Sequence, residues 1–380
     1  MRRYELRCRN FVRMAEHILP KTICRGKPRL TGVLALAALA AACVSLTGPV
    51  AFAQAVTRID TVPAPSLAAN LLGDPAWRQV SVYLPPSYAT HQQRRYPVVY
   101  WLHGFASADR ELISGIRQDL NIRLAMDSLL AAGAAREMII VMPNARNAFE
   151  GSFYANSPVT GRWEDFIVRD LVSWVDRRFR TVRARSARGI AGSSMGGFGA
   201  LRVALRNPDT FSAVYAMSPC CLDSEVFFER SWLAAWRGAA AVKTLEDFQR
   251  APFRSQLVIA RSAFYSPDTA RPPLYVAFPV ELDGDSLRLV PAVAALWRED
   301  PMALIPRSAP ALRRLAIALD AGAQDGFPDI PRNVRTVDSL LTALGIAHEA
   351  EIYQGGHVDK VRERIVTKVL PFFSRALSSP

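Results

Sequence analysis

From residue 79 onward the apolar positions recur with two periods in alternation. Residues 79–84 (Gln-Val-Ser-Val-Tyr-Leu) alternate apolar and polar as a half-buried strand does, and stop at Pro85-Pro86. Residues 96–102 (Tyr-Pro-Val-Val-Tyr-Trp-Leu) are apolar throughout, which predicts a strand buried on both faces running into His103-Gly104-Phe105. Helical spacing is expected near 117–132, an apolar strand over 138–142, and a polar loop from Pro143 to Arg162. Residues 163–178 place Phe166, Leu171, Trp174 and Val175 on one helical face. A short apolar strand and an amphipathic helix follow across 188–206, then a strand at 212–217. After an irregular stretch come a strand at 315–319, a helix near 332–344, a strand at 349–353 and a closing helix at 358–376. Strands that alternate with helices predict an α/β fold with a mainly parallel central sheet, flanked by helices on both faces.

Residues 222–312 break this rhythm. They hold Phe227, Phe228, Trp232, Trp236, Phe253, Phe264, Tyr265, Tyr275 and Phe278. The segment reads as an inserted cap whose aromatics, Trp232 and Tyr265 among them, wall a ligand pocket; the alternative is a set of extra helices packed for stability. Residues 54–380 are otherwise expected to form one domain, long enough for a sizeable core.

Composition changes the picture mainly at the N-terminus. Residues 32–42 form an apolar run behind Arg25, Lys27 and Arg29, and Ala51-Phe52-Ala53 offers small residues at alternate positions. That pattern predicts a signal peptide over 1–53, cleaved before Gln54, and a periplasmic or extracellular protein. The run is short for a bilayer span, so no stable membrane insertion is expected after cleavage. A start at Met14 would make a more ordinary leader, and Ala40-Ala41-Ala42-Cys43 weakly resembles a lipidation site. The formal charge of +13 is concentrated in the same region, where nine Lys/Arg stand against two Asp/Glu. What remains has its arginines scattered among acids, with no basic stripe of the kind that binds nucleic acid. Outside the leader only Cys220 and Cys221 remain of five cysteines. Two adjacent cysteines make neither a disulfide framework nor a zinc site, so no metal or cofactor is expected. They read as two small buried residues, or as a vicinal disulfide at the start of the insertion.

The candidate chemistry centres on Gly192-Ser193-Ser194-Met195-Gly196. A serine hydroxyl becomes a nucleophile when a strained strand-to-helix turn exposes it beside a base and near backbone N–H donors. Gly192 and Gly196 leave room for such a turn. In a chain of this layout the acid and then the histidine follow the serine. Of His348 and His357, the second follows Tyr353-Gln354-Gly355-Gly356 in a glycine-flexed loop past a strand, where ligands bind in open parallel sheets. His348 opens a strand and suits packing. Asp320 stands at a strand end and can cap the turn, whereas Asp325, beyond Gly322, is better placed to reach a neighbouring loop. The backbone N–H groups of Met195 and Phe105 are the expected oxyanion donors, and His103 the residue that shapes the turn before Phe105.

The order of residues 96–104, Ser152-Phe153-Tyr154-Ala155-Asn156-Ser157, Trp163-Glu164-Asp165-Phe166-Ile167, the Gly192–Gly197 turn, Asp320–Asp325 and Gly355-Gly356-His357 resembles the esterase D-like family of α/β-hydrolases, relatives of feruloyl and acetylxylan esterases and of mycolyltransferases. The resemblance spans roughly residues 78–370. It implies an α/β-hydrolase fold and a Ser194, Asp325, His357 triad acting on a small-molecule or carbohydrate-linked ester through an acyl-enzyme. One departure is Val358-Asp359, where many relatives carry an aromatic soon after the histidine. Two other readings use the same residues differently: an acyltransferase in which a sugar hydroxyl replaces water, and a non-catalytic binding protein on a hydrolase scaffold.

Overall fold

The computed structural model describes residues 54–114 and 121–379. The signal-peptide, cleavage and lipidation expectations, together with Cys8, Cys24 and Cys43, lie outside those residues. Eight strands form the central sheet: β1 (Val56–Pro63), β2 (Trp77–Leu84), β3 (Val98–Leu102), β4 (Ile139–Pro143), β5 (Arg188–Ser193), β6 (Ala213–Met217), β7 (Ala316–Gly322) and β8 (Glu349–Tyr353). Their spatial order is β1-β2-β4-β3-β5-β6-β7-β8. β1 and β2 pair antiparallel with each other, and β2 antiparallel with β4; every other neighbouring pair is parallel. β1 is the strand that the apolar pattern did not announce. It is an edge strand with most of its residues partly or fully exposed, so little hydrophobic periodicity is imposed on it.

Strand alternation divides the core in two. Val98, Tyr100 and Leu102 point into one apolar layer, and Val99 and Trp101 into the other. The second layer is covered by α1 (Ile122–Ala131) and the C-terminal helix, through Met126, Ile365 and Phe373. The first is covered by α2 (residues 163–178), α3 (Met195–Arg206) and α6 (Asp329–Ala343), through Phe166, Phe198 and Val337. α2 contains a π-helical turn at Phe166–Leu171. The C-terminal helix, α7 (residues 361–376), has another at Ile365–Val369.

Residues 222–312 add no strand to this sheet. They form short helices, including α4 (Leu233–Ala241) and α5 (Phe253–Tyr265), and a hairpin of Val280–Asp283 with Ser286–Leu289. Their buried aromatics join the first apolar layer.

Register sets where the chemistry collects. Leu102 of β3 is level with Gly192 of β5, Ser193 with Met217 of β6, Met217 with Asp320 of β7, and Gly322 with Tyr353 of β8. The segments leaving β3, β5, β7 and β8 therefore emerge along one carboxyl edge, where open parallel sheets bind ligands.

Candidate active site

Ser194 stands between β5 and α3 with φ 56° and ψ −119°, a conformation that L-residues adopt only at a cost. The surrounding backbone enforces it. A β-carbon on Gly196 would fall 1.9 Å from the Leu102 carbonyl oxygen, and one on Gly192 would fall 2.4 Å from the backbone of Gly196. Neither position admits a side chain, and the elbow packs directly on β3 as a result. As the first residue of α3, Met195 carries an N–H group without an acceptor inside its helix.

The turn after β3 sits against this elbow, since a β-carbon on Gly104 would be 3.6 Å from that of Ser194. His103 holds the turn. Its Nε2 accepts the Ala145 N–H at 2.8 Å, so Nδ1 carries the proton and donates to the Gly104 carbonyl at 2.8 Å. Burial pushes its pKa down to about 4 and keeps the ring neutral. Tyr154 donates its hydroxyl to the His103 carbonyl at 2.9 Å and fixes the same segment from the other side. Both ring nitrogens of His103 are thus committed to backbone.

Beyond β7 and β8 two loops are stitched together. Ala323 N–H donates to the Tyr353 carbonyl at 2.8 Å and Gln324 N–H to that of Gly355 at 2.9 Å; the Gln324 side chain accepts from Gly355 N–H at 2.7 Å. Gly322 has no room for a β-carbon, which would lie 2.3 Å from the Gly355 carbonyl oxygen. Across this seam His357 Nδ1 donates to Asp325 Oδ2 at 2.7 Å, while Asp325 Oδ1 accepts the Phe327 N–H at 2.8 Å. The Asp325 side chain is fully buried and that of His357 is 20% exposed, so the imidazole alone meets solvent. Phe327 flanks the ring edge-on, with centroids 5.6 Å apart.

The rival residues are engaged elsewhere. Asp320 Oδ2 accepts from Tyr215 at 2.8 Å and from Arg364 at 2.7 and 2.9 Å, beneath the sheet edge. His348 bonds Asp338 and the Ile346 carbonyl, both at 2.8 Å, and closes the turn before β8.

The family described as "Esterase: Putative esterase" matches residues 75–364. The chain belongs to this family. Two Mycobacterium tuberculosis proteins named as esterases are 35% identical to it over 148 residues, which is 37% of this chain and 28% of each of theirs. The chain therefore spans well under a third of those relatives. A ferulic acid esterase structure superposes with a TM-score of 0.60 at 22% identity, over 85% of this chain and 99% of its own. An S-formylglutathione hydrolase from Agrobacterium tumefaciens gives 0.55 at 16%, over 88% and 99%. A fluorophosphonate-binding serine hydrolase of Staphylococcus aureus gives 0.52 at 16%, over 83% and 99%. At these identities the likeness is one of fold, the α/β-hydrolase fold.

In this member of the family Ser194 and His357 line one cavity of about 180 Å³. Phe105, Leu112, Phe227, Trp232, Phe253, Leu257, Phe327, Val358 and Val361 give it apolar walls. Asp329, at the start of α6, contributes the one carboxylate among the described lining residues, and burial raises its pKa. The insertion supplies Phe227, Trp232, Phe253 and Leu257, so part of it does face the cavity. Tyr265 does not: it is buried and stacked on Trp297 with centroids 5.2 Å apart. The expectation that Tyr265 walls the pocket is corrected accordingly, because the C-terminal end of α5 packs into the first apolar layer, Phe264 against Phe198 and Tyr265 against Trp297. Sequence reasoning also missed Asp329 and Phe327, which reach the cavity by following Asp325 around the turn into α6. Among the described residues no group of three or more His, Cys, Asp or Glu is placed to hold a metal ion, and no helix is long and apolar enough to cross a membrane.

Proposed function

We propose that the protein is an exported serine esterase that cleaves carboxylic esters through an acyl-enzyme, with Ser194, His357 and Asp325 as its triad. The observation that carries this reading is the buried Asp325–His357 hydrogen bond, opening on the cavity that holds the strained Ser194. With its Nδ1 proton committed to Asp325, the imidazole presents Nε2 as the base. Ser194 Oγ attacks the acyl carbon as its proton passes to Nε2, and the N–H groups of Met195 and Phe105 receive the charge on the carbonyl oxygen. His357 returns the proton to the departing alcohol. Water, activated by the same imidazole, then releases the acid.

The cavity's size and walls support a compact apolar acyl group, since about 150 Å³ of apolar space accommodates one benzene ring. The ferulic acid esterase neighbour points the same way. Asp329 makes the cavity unfavourable for acyl groups that carry their own negative charge.

A fluorophosphonate probe tests the assignment. It should label Ser194 stoichiometrically, and Ser194→Ala should abolish labelling and lower kcat by about 10⁵-fold or more, with the melting temperature unchanged. Full labelling of the variant would place the nucleophile elsewhere, Ser193 being the neighbour to test next. Export is checked by mass spectrometry of the secreted protein, whose first residue should be Gln54.

A further inference from the structure

Cys220 and Cys221 are not used by the mechanism above, yet both line the cavity that holds Ser194. Both are free thiols, Cys220 half-buried and Cys221 buried, and their Sγ atoms stand 2.8 Å apart. Adjacent side chains ordinarily diverge. Here the backbone departs from the ordinary, with Cys221 in the left-handed region at φ 65°.

This turn is also tied to the nucleophile. Cys220 N–H donates to the Ser194 carbonyl at 3.3 Å, and a β-carbon on Gly197, in the first turn of α3, would lie 3.0 Å from Pro219. On its other side the fully buried Arg261 donates to the Cys221 carbonyl at 3.2 Å and to Ser224 Oγ at 3.0 Å, with its guanidinium 4.0 Å from the Phe227 ring centroid. Burial opposes a thiolate at Cys221, but the Cys220 donor and the Arg261 charge together lower its pKa.

We infer that Cys220 and Cys221 are a redox-modifiable vicinal dithiol in the wall of the active-site cavity, closing to a disulfide on reaction with small disulfides or azo oxidants and thereby switching the esterase off. With a small disulfide, the thiolate of the pair attacks one of its sulfurs and expels the first thiol. The remaining cysteine loses its proton and attacks the mixed disulfide, expelling the second. The two cysteines together lose two protons and two electrons, and the small disulfide gains both as two free thiols. The closed ring spans neighbouring Cα atoms about 3.8 Å apart, less than ordinary disulfides bridge, so it belongs to the labile, readily reduced class. Closing it moves the Cys220 amide, and with it the hydrogen bond to Ser194.

That the switch acts on ester turnover rests on the proposed function; the cysteine chemistry itself does not. Diamide, which takes up the two hydrogens as a hydrazine, is the probe. Intact mass should fall by about 2 Da, the peptide carrying Cys220 and Cys221 should hold the bond, and ester turnover should fall about tenfold or more. Dithiothreitol should restore both. Cys220→Ser and, separately, Cys221→Ser should lose the mass change and the diamide sensitivity, whatever their starting rates. Thiols that stay reduced under diamide overturn the proposal, and so does a bond that forms without a change in turnover or inhibition that persists in both variants. If mass shifts and fluorophosphonate labelling of Ser194 is absent from the start, the proposed function has failed and the dithiol stands.

Discussion

Three aspartates within ten residues at the end of β7 meet three different surroundings. Asp320 is sealed under the sheet edge, where it holds Arg364 and Tyr215. Burial pushes the Asp320 pKa up, opposed by the Arg364 charge and hydrogen bonds, while Glu351 and Asp320 hold the Arg364 pKa above its ordinary value against its own burial. Asp325, just past the strand, is equally buried but has an imidazole partner that can gain and lose a proton. Asp329, four residues further at the start of α6, lines an apolar cavity. A carboxylate locked to a guanidinium serves the scaffold. On the proposed function, one locked to an imidazole serves the reaction, and one facing a cavity acts on what enters it.

Replacing each with asparagine separates these roles. Asp325→Asn should cost most in rate: kcat falls by about 10⁴-fold because the imidazole loses the acceptor that sets its tautomer. Thermal stability should barely move, and a large fall in melting temperature would reassign Asp325 to the scaffold. Asp320→Asn should do the reverse, lowering unfolding free energy by about 2 kcal/mol because the buried Arg364 loses its buried carboxylate and keeps only the partly exposed Glu351, with kcat per folded molecule retained. Urea titration and active-site titration together read both quantities, and a selective loss of kcat would collapse the distinction between the two sites.

Asp329→Asn should have the smallest effect. It should improve KM for an ester with an anionic acyl tail by about fivefold relative to a neutral analogue, close to 1 kcal/mol. Because burial raises the Asp329 pKa, its carboxyl becomes neutral at a higher pH than an ordinary aspartate. In the unsubstituted protein the penalty on anionic esters should therefore be full at high pH and relax as pH falls through that pKa, whereas in Asp329→Asn the Asp329 contribution should be absent at every pH. A pH series of KM for the two esters, showing no difference between enzymes, would remove Asp329 from substrate selection.

The sequence by itself determined the α/β alternation, because buried parallel strands and amphipathic helices leave different apolar periods. It also marked the Gly192–Gly196 turn and the Gly355–His357 loop, because glycine at a sharp turn has a local steric cause. The division of labour within residues 222–312 was not legible. Trp232 and Tyr265 are equally apolar in a list, and only the folded path of the chain sends Tyr265, at the end of α5, onto Trp297 while the turn before α4 leaves Trp232 at the cavity. β1 escaped notice for the opposite reason, as an edge strand needs few apolar residues. The partners of Asp320 and Asp325 were likewise decided in three dimensions: Arg364 lies 44 residues from the first and His357 32 residues from the second. Local sequence encodes the conformations a segment can adopt. Which side chains then share a cavity, a proton or a buried charge depends on strand register and helix direction, and those are set by the packing of the whole sheet.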